Sequence, residues 1–314
     1  MNESETRAAL RQPNGQSERQ SESLSASGYV LIVLVIIGWG TSWPFLKIAL
    51  SEIPPWTFRG MIAPSAAIFT FAIAIFLKQK IRIPRHQLPA LLLASALNIT
   101  IWQVFSAMAI RLMGSGHAAI IAYTMPLWAS ALSMIFIGER PTPARILGLI
   151  AGLAGLGVLV SGKLGVFAAA PLGTVFMLLA ALSWGAGTVV QKRVNWELPA
   201  ASLAGWQLLI GGLPVFITAL IIEVPYLEPV SAAAVWSAVF VLIYPIIFCW
   251  FAWFSVIRQV PVTVSTVSVM LVPVLGVFSG NLVLGEPVGW REMASLVLVC
   301  AALALVLTPA RKPS

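Results

Sequence analysis

"YTMPLWASALSMIFIGERPTP", residues 123–143, sets a proline inside an apolar run that stops abruptly at Gly-Glu-Arg. "MLVPVLGVFSGNLVLGEPV", residues 270–288, carries proline, glycine and glutamate at the same relative places. Sliding the chain by 147 residues without gaps lays Ile110-Arg111 on Ile257-Arg258, Pro126 on Pro273, and Gly138-Glu139 on Gly285-Glu286. Arg, Pro, Gly and Glu are scarce in apolar runs, so these matches say more than Leu on Leu would. An upstream echo agrees: Trp39-Gly40 is followed by Lys47, and Trp184-Gly185 by Lys192 at the same spacing, with an offset of 145. One small indel separates the two echoes.

Composition says where such a repeat can live. Of 314 residues 59% are hydrophobic and only 10% charged, against roughly 25% charged in a soluble domain. The net charge of +8 is spread over short connectors, not gathered into the long basic run of a nucleic-acid binder, so no nucleic-acid partner is expected. All eleven acids are Glu. Cys249 and Cys300 both sit in apolar runs as packing residues, too few for a disulfide framework or a zinc site, and no metal or cofactor is expected.

Residues 1–27 are polar and too poor in large apolar side chains to order themselves, which makes them a tail. The first apolar run is too long for a signal-peptide core and lacks an A-x-A-like cleavage site, so it is expected to be retained. Ten apolar segments follow, at 28–50, 55–77, 87–110, 115–137, 144–162, 170–191, 201–222, 232–256, 262–284 and 289–308. Each has about the 20 residues that a helix needs to cross a hydrocarbon core ~30 Å thick. A β-barrel is excluded because the runs do not alternate apolar with polar residues.

Placing the N-terminus inside puts fourteen of nineteen Lys and Arg on the inner side, leaving Lys47, Arg59, Arg111, Lys163 and Arg291 outside. Both termini are therefore expected in the cytoplasm of a cell (inner or plasma) membrane. Trp56, Trp196, Trp236 and Trp290 fall near predicted helix ends, as an interfacial belt would have them. Five helices per half is an odd number, so the second copy must enter the membrane inverted. The expected fold is all-α and integral to the membrane: ten transmembrane helices as two inverted five-helix repeats, 28–162 and 163–308, with a short cytoplasmic tail at 309–314. Inverted repeats are a signature of secondary transporters, which hold substrate near the midplane between the halves.

"GWGTSWPFLKIAL" in the first segment, "GHAAIIAYTMPLWASALSMIFIGERPTPARILGLIAGLAGLGVLV" across the fourth and fifth, and "VSTVSVMLVPVLGVFSGNLVLGEPV" in the ninth resemble EamA-type transporters of the drug/metabolite transporter superfamily. The resemblance covers residues 28–308 as two repeats. It implies small-molecule transport, often export of amino acids and related metabolites; the lack of any intramembrane Ser/His/Asp set, paired carboxylates or metal-spaced His stands against an enzyme. The second copy lacks the arginine of Gly-Glu-Arg, which predicts a differently held corner. Small multidrug exporters of the same superfamily depend on a carboxylate within a transmembrane helix. Here no Glu falls deep in a segment, which disfavours proton-coupled export of cationic drugs.

Candidate site residues are the polar and aromatic groups near mid-segment, because burying an amide or indole N–H unpaired costs about 2–7 kcal/mol. In the first segment these are Trp39, Thr41, Ser42 and Trp43. The third offers Asn98, Trp102 and Gln103, the fourth Tyr123, the sixth Trp184 and the eighth Tyr244. Each Trp reads equally as packing, and Asn98 alternatively as an interhelical hydrogen bond. Lys47, Arg59, His117 and Lys192 are candidate gating charges, read either as snorkelling to headgroups or as attracting a substrate carboxylate; an interfacial hydrogen-bonded histidine is the plainer reading of His117. Pro126 and Pro273 are expected to kink their segments. Gly138, Glu139, Gly285 and Glu286 mark segment ends, each Glu capping the following helix or pairing with a cation such as Arg140. Gly148, Gly152 and Gly155 provide a small-residue packing face, within the chain or between two copies. The partners implied are a small-molecule substrate and the lipid bilayer, with monomer or homodimer both open. Competing readings are an exporter of hydrophobic drugs, an importer of the same fold, and an intramembrane enzyme.

Overall fold

A computed structural model describes residues 26–113, 118, 121–161, 170–223, 228–285 and 288–307. Expectations for His117, Glu286 and nearly all of the N-terminal tail concern residues outside these. Among the described residues the structure is all-helical and has no strands. Its helices are α1 (Ala26–Leu50), α2 (Pro55–Phe76), α3 (Leu88–Ser95), α4 (Trp102–Met113), α5 (Met125–Phe136), α6 (Pro143–Val160), α7 (Pro171–Arg193), α8 (Ala200–Ile222), α9 (Ala232–Val241), α10 (Cys249–Gln259), α11 (Val262–Ser268), α12 (Leu271–Leu284) and α13 (Trp290–Leu307). Two π-helical stretches, Ala96–Ile101 and Leu242–Phe248, splice α3 to α4 and α9 to α10.

Seven described helical runs are long and apolar enough to cross a membrane: Ser27–Leu50, Pro55–Phe76, Arg85–Ile110, Pro171–Arg193, Ala200–Ile222, Ala232–Gln259 and Val264–Leu284. The segments expected at 115–137, 144–162 and 289–308 are represented by shorter helices: α5, α6 and α13. Many large apolar side chains point outward, among them Phe76, Ile135, Ile221 and Leu282. In water that surface would drive aggregation, whereas lipid solvates it.

The halves interleave. α2 packs chiefly on α8 and α6 on α13, while α1 packs on α9, α10 and α12 and α7 packs on α4 and α5. The crossings repeat in detail. A Cβ on Gly40 of α1 would lie 2.6 Å from Leu275 Cβ in α12, and one on Gly185 of α7 would lie 3.2 Å from Trp128 Cβ in α5. Gly185 is the repeat partner of Gly40, and Trp128 that of Leu275. Small residues thus allow the same backbone approach in both copies. The glycine face of α6 is used within the chain: a Cβ on Gly155 would meet Val299 of α13 at 3.0 Å.

The prolines that defined the repeat do not kink a continuous helix. The chain turns at Tyr123–Thr124 and again at Val269–Met270, and Pro126 and Pro273 fall in the first turns of α5 and α12. The reason is local: a proline ring excludes the carbonyl four residues back, but the first turn of a helix needs no N–H donor. The internal prolines of regular helices are instead Pro44, Pro64 and Pro214. Pro44 cannot bond the Gly40 carbonyl, which accepts from Ser279 Oγ of α12 at 3.2 Å.

Both copies end alike. Gly138 and Gly285 adopt φ of +74° and +67°, and a Cβ on either would touch nothing within 4 Å. Glycine is selected there by backbone conformation and not by space. The expected tryptophan belt is corrected in part: Trp236 and Trp290 are exposed, but Trp56 and Trp196 are buried. Trp56 packs on Ala107, Val215 and Ala219, and the Trp196 indole donates to Gln191 O, so both rings face protein.

Candidate functional site

The four interruptions of the helices are themselves repeat-related. The π-stretches begin at Ala96 and Leu242, and the turns at Tyr123 and Val269, each pair 146 residues apart. π-Helical insertions are rare and frequent at functional sites. Each is tied to the leading helix of the other half. The Trp39 indole donates to Pro245 O at 2.9 Å and the Tyr244 hydroxyl to Leu34 O at 3.0 Å, joining the second stretch to α1. Ser183 Oγ of α7 donates to Leu97 O at 2.6 Å in the first. Backbone carbonyls released by the loosened ladder are thereby satisfied inside the bundle, as a lipid environment demands.

Aromatic rings fill the seam between these stretches. Trp39 and Trp184, equivalent places in the two halves, meet on Trp253 of α10, with ring centroids 5.5 Å and 5.3 Å away. Trp250 closes edge-on against Trp39 at 6.5 Å. Trp43 lies beside Tyr123 at 6.4 Å, and its indole N–H is buried without a hydrogen-bond partner. The first-segment hydroxyls serve their own helix, Thr41 Oγ1 on Ile37 O and Ser42 Oγ on Trp39 O. Trp102 packs partly buried against the same core.

Asn98 is 3% exposed, and its amide is engaged inside the protein. Nδ2 donates to Gln207 Oε1 at 3.1 Å, and Gln207 Nε2 donates to Gln191 Oε1 at 2.7 Å, so three amides form one buried chain across α7, α8 and the first π-stretch. A Cβ on Gly187 would collide with the Asn98 amide, so glycine makes the room. Gln103 is not in that chain; it accepts from Arg59 Nη1, which also donates to Ser106 Oγ at 2.8 Å.

The gating candidates divide. Lys192 Nζ caps the end of α10, donating to Ile257 O at 3.1 Å and Val260 O at 2.9 Å, where a cation complements the helix dipole. Beside it Glu139 Oε2 accepts from Val262 N at 3.1 Å, the opening amide of α11. Glu139 therefore ties the first half to the second and does not cap its own following helix, α6, whose N-cap is Thr142. Lys47 is exposed in the last turn of α1. A cleft of about 240 Å³ opens at the Lys192 end, lined by Gln191, Lys192, Arg193, Asn195, Trp196 and Arg258 among others.

At the α1–α9 end, Glu52 accepts from Ser231 N at 2.6 Å and Ser231 Oγ at 2.7 Å. These bonds hold its carboxyl below the usual carboxylate range. Its repeat partner Glu197 pairs with Lys80 and His86, both at 3.1 Å. Trp250, Trp253, Gln191, Gln207 and Ser183 were not singled out from sequence. The aromatic and amide types were visible, but their facing direction was not. Among the described residues no three His, Cys, Asp or Glu side chains gather as a metal site. The arrangement offers aromatic faces and hydrogen-bond donors, and no carboxylate of a described residue is among its named groups.

Comparison with known proteins agrees with this architecture. A family model described as "EamA-like transporter family" matches residues 26–161 and again 171–308. "Uncharacterized transporter YoaV" of Bacillus subtilis is 27% identical over 274 residues, covering 87% of this chain and 94% of that protein. A Salmonella typhimurium protein named "Probable amino-acid metabolite efflux pump" is 25% identical over 283 residues, covering 87% of this chain and 92% of its own. A solved crystal structure shares the fold at a TM-score of 0.77 and 21% identity, covering 90% of this chain and 96% of that one.

Proposed function

We propose, on the premise that the chain belongs to the EamA-like transporter family, that it carries an amino acid or related polar metabolite out of the cytoplasm by alternating access. In this reading ten spans form two inverted five-helix halves, both termini lie in the cytoplasm, and the solute binds between the halves. The observation that carries it is the repeat-related set of interruptions at 96–101, 123–124, 242–248 and 269–270, with the two π-stretches tied to the helices whose Trp39 and Trp184 meet on Trp253. Broken helices at a repeat interface are where such carriers bind solute. Rocking one half against the other exchanges the seam's exposure between the two faces.

The ties at the Lys192 end, where Lys192 and Glu139 fasten α5, α7, α10 and α11 together, act as one gate. The relative named as an amino-acid metabolite efflux pump supports the cargo class. The test is counterflow of a radiolabelled amino-acid panel in proteoliposomes, paired with protection of cells against toxic amino-acid analogues. Uptake of at least one amino acid above empty liposomes is expected; none across the panel, with hydrophobic dyes carried instead, rejects the cargo.

A further inference from the structure

Arg59 sits in the second turn of α2 with its guanidinium turned onto α4. Among the described residues only Nη1 is bonded to protein, to Gln103 Oε1 and to Ser106 Oγ, and Ser106 is 2% exposed. Nε and Nη2 have no partner among the described residues, yet neither is sealed off as a buried unpaired atom. Gln103 Nε2, on the amide bonded to Nη1, likewise has no partner among the described residues and is not a buried unpaired atom. No carboxylate of a described residue lies within ion-pairing distance of the guanidinium. Glu223, which follows the α8 helix packed on α2, is engaged with Thr57 N at 2.7 Å.

A charge within a membrane helix is costly, and such residues ordinarily pair or mark a solute pathway. Here the charge is held by two neutral oxygens, with no counter-ion among the described residues. A free Nε–Nη2 edge is a planar fork that matches the two oxygens of a carboxylate, and the neighbouring amide adds a third donor. A spherical anion or a neutral amide cannot use that fork as well.

We infer that Arg59, with Gln103, forms a recognition site for the carboxylate group of the transported solute. This deepens the proposed transport of a polar metabolite, and rests on that reading only for the site's place on a transport route. It makes Arg59 a residue that selects acids over their uncharged isosteres. Ser106 then serves to orient the guanidinium.

The test uses the purified full-length protein in detergent, followed by tryptophan fluorescence during thermal unfolding. The probes are phenylacetate, L-phenylalanine, acetate, the neutral isostere phenylacetamide, and sodium chloride at matched ionic strength. At least one carboxylate is expected to stabilise saturably, with phenylacetamide and chloride inert. Arg59→Gln should raise the apparent Kd at least tenfold, and Arg59→Lys should fall between, because lysine keeps the charge but not the fork. Should Arg59→Gln fail to fold, Arg59→Lys and Gln103→Leu carry the comparison, each weakening binding several-fold. Equal stabilisation by phenylacetamide, undiminished binding in both of these variants, or no saturable effect of any carboxylate overturns the inference. A carboxylate that binds through Arg59 while the amino-acid panel is not transported supports this site and rejects the export reading. Amino-acid transport that Arg59→Lys leaves unchanged does the reverse.

Discussion

Gln207→Leu removes both bonds at the centre of the buried amide chain, the acceptor for Asn98 and the donor to Gln191. In a water-soluble core each orphaned group costs about 1–3 kcal/mol. Within a bilayer the unfolded reference also finds partners, and measured interhelical hydrogen bonds average about 0.6 kcal/mol, reaching about 1.7. Two bonds then set the loss at about 1–3 kcal/mol, whereas Asn98→Leu, which breaks one, should lose about 1 kcal/mol. The double variant should lose less than the sum, because the Asn98–Gln207 bond can be lost only once. We expect a coupling of about 0.6–1.7 kcal/mol in a double-mutant cycle of SDS-induced unfolding in mixed micelles. Strict additivity, with coupling below about 0.3 kcal/mol, would refute the chain as an energetic unit.

Gly138→Ala and Gly285→Ala should each destabilise by about 1–2 kcal/mol, and by similar amounts, because only the positive φ is penalised and no atom obstructs the new methyl. Asn at either position should be milder; paired melting curves measure this, and a large difference between the two sites would contradict the shared geometry. The Glu52 carboxyl is held below its ordinary value by Ser231, so its contribution to stability is present above the ordinary carboxylate pKa and is lost as pH falls through the lowered one. Melting curves from neutral to acid pH should therefore show a decline that Glu52→Gln removes, and an identical profile in that variant would show the tie to be inert.

Sequence alone made the molecule a membrane protein of two repeats, because hydropathy, spacing and scarce residues such as Pro, Gly and Glu are local properties of the chain. The equivalence of Gly138 with Gly285 was legible for that reason, and both take the left-handed conformation. The reading of Pro126 and Pro273 as kinks went astray for an equally local cause. A proline rules out one hydrogen bond, but whether the helix bends around it or restarts before it depends on what satisfies the neighbouring carbonyls.

Asn98 shows the same limit from the other side. Its buried amide required a partner, and the partner was Gln207, 109 residues away in α8. Arg59 was legible as a charge that either snorkels or attracts a substrate carboxylate, but nothing in the chain says which way a guanidinium will turn. What the sequence by itself determined was the repeat, the lipid-facing composition and the residue types available to a site. Only the tertiary structure decided which donors were satisfied by protein and which were left open, because buried polar groups find partners across helices, at distances along the chain that no local pattern encodes.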